Sequence, residues 1–484
     1  MPRNVLAPGA VVDGFRLEQK IHQGSMAALW RVVHDDSPEP LIMKVPLLRY
    51  GDDPTAILGF EVEQMIMPLL DGPHVPRFVA SGDFDTQPYI VMELLPGEAL
   101  SARLGKEGKG ALPAEEVADI GARVATALHD LHRQHLVHLD LKPGNVLFRS
   151  SGEAVLIDFG LSRLDGRPDL IAEELHTPAG TGAYIAPEQV MRVRDDPRSD
   201  LFALGVLLYQ MATGHLPFGS PQTVRGLRRR LYHAPVPPRV LNRDCPPWLQ
   251  EIVLRCLEVD PAVRYQSAAQ VAFLLRNPDQ VTLSARAERV RRDSAFTVAR
   301  QWLRWMMRTP SIRPSVSERL SRAPIIAVAV DLSEGESDLT EAQRRIVATL
   351  LASTPGARLA CMTVHKIARI GMEFNVDKHG NNLHVGALVR LKHWARPLEV
   401  APERLTYHVL EAPDPANAIL DYVRGNHVDH LVVGARGHSA LRRYLGSVSS
   451  PLVAQAPCTV TVVRPPERSS TVAPAAVPEP AETD

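Results

Sequence analysis

The chain has 484 residues, with 45% hydrophobic and 23% charged positions, enough for two or three globular domains with full cores. Its formal net charge of -1 gives no global field toward nucleic acid or a membrane surface. Four dispersed cysteines, with no CxxC pair, argue against a structural zinc site or disulfide framework and fit a reducing cytoplasm. No secretory leader is expected at Met1-Pro2-Arg3-Asn4, and no apolar run is long enough for a transmembrane segment.

In chain order, Val11 to Val33 reads as a hairpin around the run Ile21 to Leu29, which contains one glycine, Gly24. Leu41 to Val45 is an apolar strand holding one lysine, Lys44. The run Phe60 to Met67 carries two glutamates, Glu61 and Glu63. Tyr89 to Leu95 reads as a strand, and Pro113 to Gln134 has helical apolar spacing. His129, His132 and His135 lie close together without further ligands, so surface or core roles are expected over a metal. Next come His138-Leu139-Asp140-Leu141-Lys142-Pro143-Gly144-Asn145, the apolar run Ala154 to Ile157, and Asp158-Phe159-Gly160. Downstream stand Gly180-Thr181-Gly182, Ala186-Pro187-Glu188, Asp200 before a core helix, and Arg264 in Asp260 to Tyr265.

Phosphoryl transfer needs a carboxylate to orient the attacking hydroxyl, a cation near the moving phosphate, and oxygen ligands for magnesium. Asp140, Lys142, Asn145 and Asp158 supply these in order, and the set resembles the eukaryotic-type serine/threonine protein kinases over about residues 14 to 275. That resemblance implies a bilobal α+β fold, ATP and Mg²⁺ as cofactors, and a protein substrate. It makes Asp140 and Lys142 catalytic and gives Asn145 and Asp158 the metal. It places Gly24, Leu29, Lys44, Glu63, Glu93, Leu95 and Leu147 around the nucleotide, with Met92 beside the base. Spacing favours Glu63 as the partner of Lys44, with Glu61 second. Thr181 matches the residue that favours serine or threonine as acceptor, while Asp200, Glu188 and Arg264 match structural supports. Two departures stand out. His22 and Ala27 replace two glycines of the phosphate loop, and Leu139 replaces the arginine that usually receives an activation-loop phosphate. Thr177 is then expected to be dispensable, with Arg163 or Arg167 as the alternative bases for a phosphate there.

Residues 276 to 322 form a basic linker with Arg286, Arg289, Arg291, Arg292, Arg300, Arg304, Arg308 and Arg313. Val298 to Arg308 reads as an amphipathic helix carrying Trp302 and Trp305. It could lie on a membrane, bind a partner, or dock on the chain's own domains, which is the expectation; nucleic acid is not expected to bind.

From Pro324 the pattern changes to buried strands alternating with helices, which implies an α/β doubly wound parallel-sheet domain. Strands are expected at 324–331, 358–364, 405–411, 429–434 and 458–463, with helices at 340–352 and 414–426. Asp331 ends the first strand, Gly434 and Gly437 follow the fourth, and Gly446-Ser447 precede a helix. Over about residues 323 to 465 this resembles the universal stress protein family, whose ATP-binding members use such glycine clusters. It implies a second nucleotide site at Asp331, Gly434, Gly437, Gly446 and Ser447, and a possible homodimer through this domain. Only eight residues, His438 to Leu445, separate Gly437 from Gly446, one fewer than that pattern carries. Residues 1–13 are an N-terminal extension, and the Pro- and Ala-rich tail 466–484 is expected to be disordered. The expected activity is transfer of the ATP γ-phosphate to protein hydroxyls; the rival readings are a pseudokinase scaffold and a nucleotide sensor acting by binding.

Overall fold

The computed structural model describes residues 6–24, 26–47, 54–97, 99–106, 110–175, 177–307, 323–332, 337–367, 382–435 and 447–465. The chain divides into two compact units, residues 1–322 with 372–389, and residues 323–371 with 390–484.

The first unit begins with a six-stranded antiparallel sheet of β1 (Val11–Val12), β2 (Phe15–Gln23), β3 (Ala27–His34), β4 (Ser37–Pro46), β5 (Phe78–Gly82) and β6 (Tyr89–Glu93), in the order β1-β2-β3-β4-β6-β5. Side chains alternate faces along a strand. Leu41, Met43 and Val45 therefore share one buried face with Trp30, Val32 and Val91, and Lys44 falls on the other. The Pro54–Ile66 helix buries Ile57, Leu58, Phe60 and Val62, and with them the carboxylate of Glu63.

The rest of this unit is mainly helical. The Ala114–Arg133 helix buries a stripe from Val117 to Leu131, with acids in its first turn and His132 and Arg133 in its last, as the helix dipole favours. The Arg198–Thr213 helix is almost wholly buried and ends at Gly214, whose φ of 72° closes the last turn without a Cβ penalty. Short strands frame the loops between them: β7 (Leu136–Val137), β8 (Val146–Phe148), β9 (Ala154–Leu156) and β10 (Arg163–Leu164), pairing β7 with β10 and β8 with β9.

The compact part does not stop near residue 275. Gln250 donates to the carbonyls of Arg286, Ala287 and Arg289, and Ser284 and Arg286 bind Glu251 and Glu258. Much of the stretch read as linker is thus a strap on the Pro247–Cys256 helix. Past it, the expected amphipathic helix runs Ala295–Met307. Among the described side chains of this helix, Phe296, Trp302 and Leu303 are 80%, 42% and 48% exposed. Arg308, Arg313 and the tail lie outside the described residues.

The second unit is a five-stranded, all-parallel sheet of β11 (Ile325–Ala329), β12 (Arg358–Lys366), β13 (Leu405–Ala412), β14 (His430–Gly434) and β15 (Thr459–Val463), in the order β13-β12-β11-β14-β15. Apolar clusters cover both faces, one around Val328, Leu359, Cys361, Val432 and Trp394, the other around Ala327, Met362, Leu431 and Val423. Burial on both sides is why these strands read as continuous apolar runs. The order reverses between β11 and β14, the place where such sheets take ligands. No helix among the described residues is long and apolar enough to cross a membrane.

Candidate active site

The loop from β7 to β8 is held from below by one buried carboxylate. Asp200 Oδ2 accepts from the His138 N–H at 2.8 Å and meets His132 Nε2 at 2.9 Å, while Oδ1 accepts from the Leu139 N–H at 2.8 Å. Burial would raise the pKa of Asp200, but the hydrogen bond and charge of His132 hold it below the usual carboxylate range. His132 is therefore a structural partner; its place could not be read from its histidine neighbours. Leu139 takes a φ of 64° and is buried, and its carbonyl accepts from Gln189 Nε2 at 3.0 Å. Such a conformation persists in a bulky residue only where both sides of its backbone are fixed.

Above that support the expected groups converge. Asp140 Oδ1 accepts from the Thr181 N–H at 3.0 Å and from its hydroxyl at 2.8 Å; Oδ2 accepts from Lys142 Nζ at 2.6 Å and Asn145 Nδ2 at 3.2 Å. Lys142 also reaches Thr181 Oγ1 at 3.2 Å. Lys44 Nζ lies 2.5 Å from Glu63 Oε2 and 3.1 Å from Asp158 Oδ1, so Glu63, not Glu61, is its helix partner. Burial alone would lower the pKa of Lys44; the two carboxylates hold it above its ordinary value. In return the Lys44 charge holds Asp158 below the usual carboxylate range, against burial.

The helix of Glu63 and the Asp158 loop are locked by two glycines. A Cβ on Gly160 would stand 3.0 Å from the Gly59 carbonyl oxygen, so larger residues would push the helix, and Glu63 with it, away. Lys44, Glu63, Asp140, Lys142, Asp158 and Thr181 line one cavity of about 360 Å³. The Asp158 side chain is 42% exposed there, and Asn145 uses its amide nitrogen on Asp140, so the group it can offer a cation is its side-chain oxygen. Two oxygen ligands fit a magnesium ion completed by phosphates and water better than a cage of protein ligands. No metal-sized cluster of three His, Cys, Asp or Glu occurs among the described residues.

At the hinge, Glu93 is more occupied than its sequence position suggested. Its N–H donates to the Arg77 carbonyl at 2.9 Å, and its carboxylate pairs with Arg149 through both oxygens. The Leu94 N–H donates to Pro40. Leu95 is buried beyond it, Leu29 lies on β3 opposite Lys44, and Leu147 is on β8. Gly24 closes the hairpin tip, its N–H donating to the Ala27 carbonyl at 3.0 Å.

Both alternative bases for Thr177 already carry interactions. Arg163 faces Asp169 at 3.7 Å and donates to the Leu164 and Arg167 carbonyls, while Arg167 carries interactions of its own. Arg192 and Arg194 instead line a small pocket with Thr177, and Arg194 already binds Asp169 at 2.9 Å.

In the second unit, Asp331 and Gly434 stand at the carboxyl ends of adjacent strands, and Ser447 is exposed ahead of the Ser449–Gln455 helix. Gly434 also has a packing reason, since a Cβ there would come within 2.9 Å of Leu339. Gly437 and Gly446 lie outside the described residues.

Comparison with known proteins finds two families along the chain. Residues 15–273 match the protein kinase domain family and residues 324–464 the universal stress protein family. The serine/threonine-protein kinase Pkn1 of Myxococcus xanthus is 31% identical over 424 residues, covering 86% of this chain and 58% of that protein. PknA of Mycobacterium tuberculosis is 31% identical over 54% of this chain and 61% of its own length. A probable serine/threonine-protein kinase of Clostridium perfringens is 29% identical over 56% and 40%. The chain thus spans about 40 to 60% of the length of these relatives. The crystal structure of the M. tuberculosis PknI kinase domain aligns at 25% identity and a TM-score of 0.46, over 57% of this chain and all of that one. With the family pattern covering more than half of its residues, the chain belongs to the protein kinase family and carries a universal stress protein domain behind the kinase domain.

Proposed function

We propose that this chain is an ATP-dependent protein serine/threonine kinase. The supporting observation is the joint placement of Asp140, Lys142, Asp158 and the Lys44–Glu63 pair on one cavity, with Asn145 bonded to Asp140. Asp140 orients the acceptor hydroxyl and takes its proton, held in register by Thr181 and Lys142. Lys142 meets the oxygens of the transferring phosphoryl group, and Lys44, fixed by Glu63, holds the phosphates behind it. Asn145 and Asp158 would hold Mg²⁺, which supplies charge neutralisation on the phosphates. The Leu95 amide is the hinge donor left for the base, because those of Glu93 and Leu94 are spent on Arg77 and Pro40. The placement of Thr181 against Asp140 favours serine and threonine acceptors. Buried thiols at Cys245, Cys256 and Cys361, with no disulfide, support a cytoplasmic location. Full chain, Mg²⁺, γ-labelled ATP and a generic basic protein give labelled phosphoserine or phosphothreonine; no label above the Asp140→Asn background would sink this reading.

Leu139 replaces the arginine that usually receives a phosphate there, Arg163 and Arg194 face Asp169, and Arg192, in the pocket with Thr177, donates to the Ala172 carbonyl. Thr177→Ala therefore keeps the initial rate of the dephosphorylated protein within about threefold of wild type. A tenfold loss in that comparison shows that a phosphate is needed after all.

The second domain binds an adenine nucleotide in this reading. Its support is the placement of Asp331 and Gly434 at the switch point of the parallel sheet. Asp331 would accept hydrogen bonds from the base or ribose, while Gly437, Gly446 and Ser447 would supply phosphate donors. A full-length Lys44→Met chain, crippled at the first site, binds one ATP by calorimetry, and Asp331→Ala on that background weakens it at least tenfold, the size of about 1.5 kcal/mol for a charged hydrogen bond. No heat at millimolar ATP would make this domain a docking module. Homodimerisation through it is supported by the edge position of β15 in its sheet.

A further inference from the structure

The segment from Gly180 to Glu188 runs from Thr181, bonded to the carboxylate that would orient the acceptor hydroxyl, to a buried ion pair, so a protein chain that presents a hydroxyl to Asp140 would pass beside it. Its far end is held by Arg264, which meets both oxygens of Glu188 at 2.7 Å. Its near end is held differently. Arg230, only 1% exposed, donates to the Ile185 carbonyl and, at 2.6 Å, to the Gly182 carbonyl. No carboxylate pairs with it among the described residues, and its Nε is buried without a partner there. Burial pulls its guanidinium down to about 10, still charged at neutral pH.

A buried cation spent on two carbonyls is costly, so it needs another source of stabilisation. The Arg230 guanidinium lies over the Phe218 ring at 5.5 Å, Phe218 stacks on Phe202 at 5.7 Å and 15°, and the Arg264 guanidinium lies over Phe202 at 5.1 Å. Both arginines are thus joined through one aromatic stack. Between them, Gly182 is pressed so closely to Pro221 that a Cβ would stand 2.4 Å from the Pro221 carbonyl oxygen.

Resting on the kinase reading, we propose that Arg230 is a positioning residue for the protein substrate: with Phe218 and Phe202 it fixes the Gly182–Ile185 stretch at the height that Arg264 fixes Glu188. Arg230 is not among the residues lining the cavity of Lys44, Asp140 and Asp158. Its loss frees the stretch that receives the chain around the acceptor and leaves the Lys44–Glu63 and Asp158 side of the cavity in place.

The test uses the full chain in steady-state assays with both substrates varied. Arg230→Met raises KM for the protein substrate about tenfold or more, lowers kcat less than threefold and moves KM for ATP less than twofold. Arg230→Lys, which keeps the charge but loses the two-pronged donation, falls between. Hydrogen exchange of the 180–186 amides quickens at least tenfold in Arg230→Met, and Phe218→Leu shifts exchange and substrate KM the same way by less. If Arg230→Met does not fold, Arg230→Lys and Phe218→Leu carry the same comparison. Unchanged substrate KM and exchange, or an equal rise in both KM values, overturns the proposal. If wild type transfers no phosphate, the kinase reading fails, and the exchange measurement alone decides whether Arg230 fixes the segment.

Discussion

Asp140→Asn lowers phosphoryl transfer by on the order of 10³-fold or more, which is about 4 kcal/mol of transition-state stabilisation. The size follows from how completely Asp140 is surrounded. One carboxylate oxygen takes both Thr181 donors and the other takes Lys142 and Asn145. An asparagine of equal volume must turn its amide nitrogen toward one of these pairs, setting donor against donor. It also removes the negative charge that attracts the acceptor proton and holds Lys142 at 2.6 Å. The fold should tolerate the change, because Asp200 supports the loop from the opposite side through the His138 and Leu139 N–H groups. A melting temperature within about 5 °C of wild type corresponds to at most about 3 kcal/mol in a unit of this size. Initial rates at saturating ATP and substrate, measured beside that melting curve, decide the matter. Retention of more than a tenth of the activity would remove Asp140 from the role assigned to it.

How much of this was legible in the sequence depends on how local each feature is. Asp140, Lys142 and Asn145 lie within six residues, and Asp158 follows a strand that Ala154 to Leu156 announces by composition. Lys44 is marked by its match to the strand lysine of the kinases, since alone a lysine there reads as a solvated edge residue, and β4 places it on the face opposite Leu41 and Met43. The parallel sheet was legible because burial on both faces produces unbroken apolar runs. Arg230 was not legible: it sits in Arg228-Arg229-Arg230, where composition suggests three solvated charges, and only the approach of Gly182 and Ile185, over forty residues earlier, takes one of them out of water. The Arg149 clamp on Glu93 and the strap of residues 284–289 on Gln250 and Glu251 are hidden for the same reason. For the Ala295–Met307 helix, periodicity gives the amphipathic face but carries no information about what covers it.

Arg264→Met destabilises the first unit by about 3–5 kcal/mol, the cost of stripping one partner from a buried ion pair. The Arg264 side chain is fully buried, and its fork meets Glu188 at 2.7 Å on both oxygens. The same guanidinium donates to the carbonyls of Arg198, Glu258 and Val259, so its loss leaves three backbone acceptors and a carboxylate short of donors. Among the described residues, the Ser199 hydroxyl, 2.7 Å from Glu188 Oε1, remains for that carboxylate. Methionine fills much of the volume, so the loss reports the missing donors more than a cavity. Adding Glu188→Gln removes the unpaired charge, and the double variant should recover part of the loss, giving a coupling energy of at least about 1 kcal/mol. Denaturant titrations of the full chain, followed by hydrogen exchange within the Arg198–Thr213 helix, isolate this unit from the parallel-sheet domain. Additive single and double variants, or an Arg264→Met midpoint equal to wild type, would show that the pair fixes Glu188 without contributing to stability. The partial rescue by Glu188→Gln separates this reading from a simple packing defect, which neutralising a carboxylate does not repair.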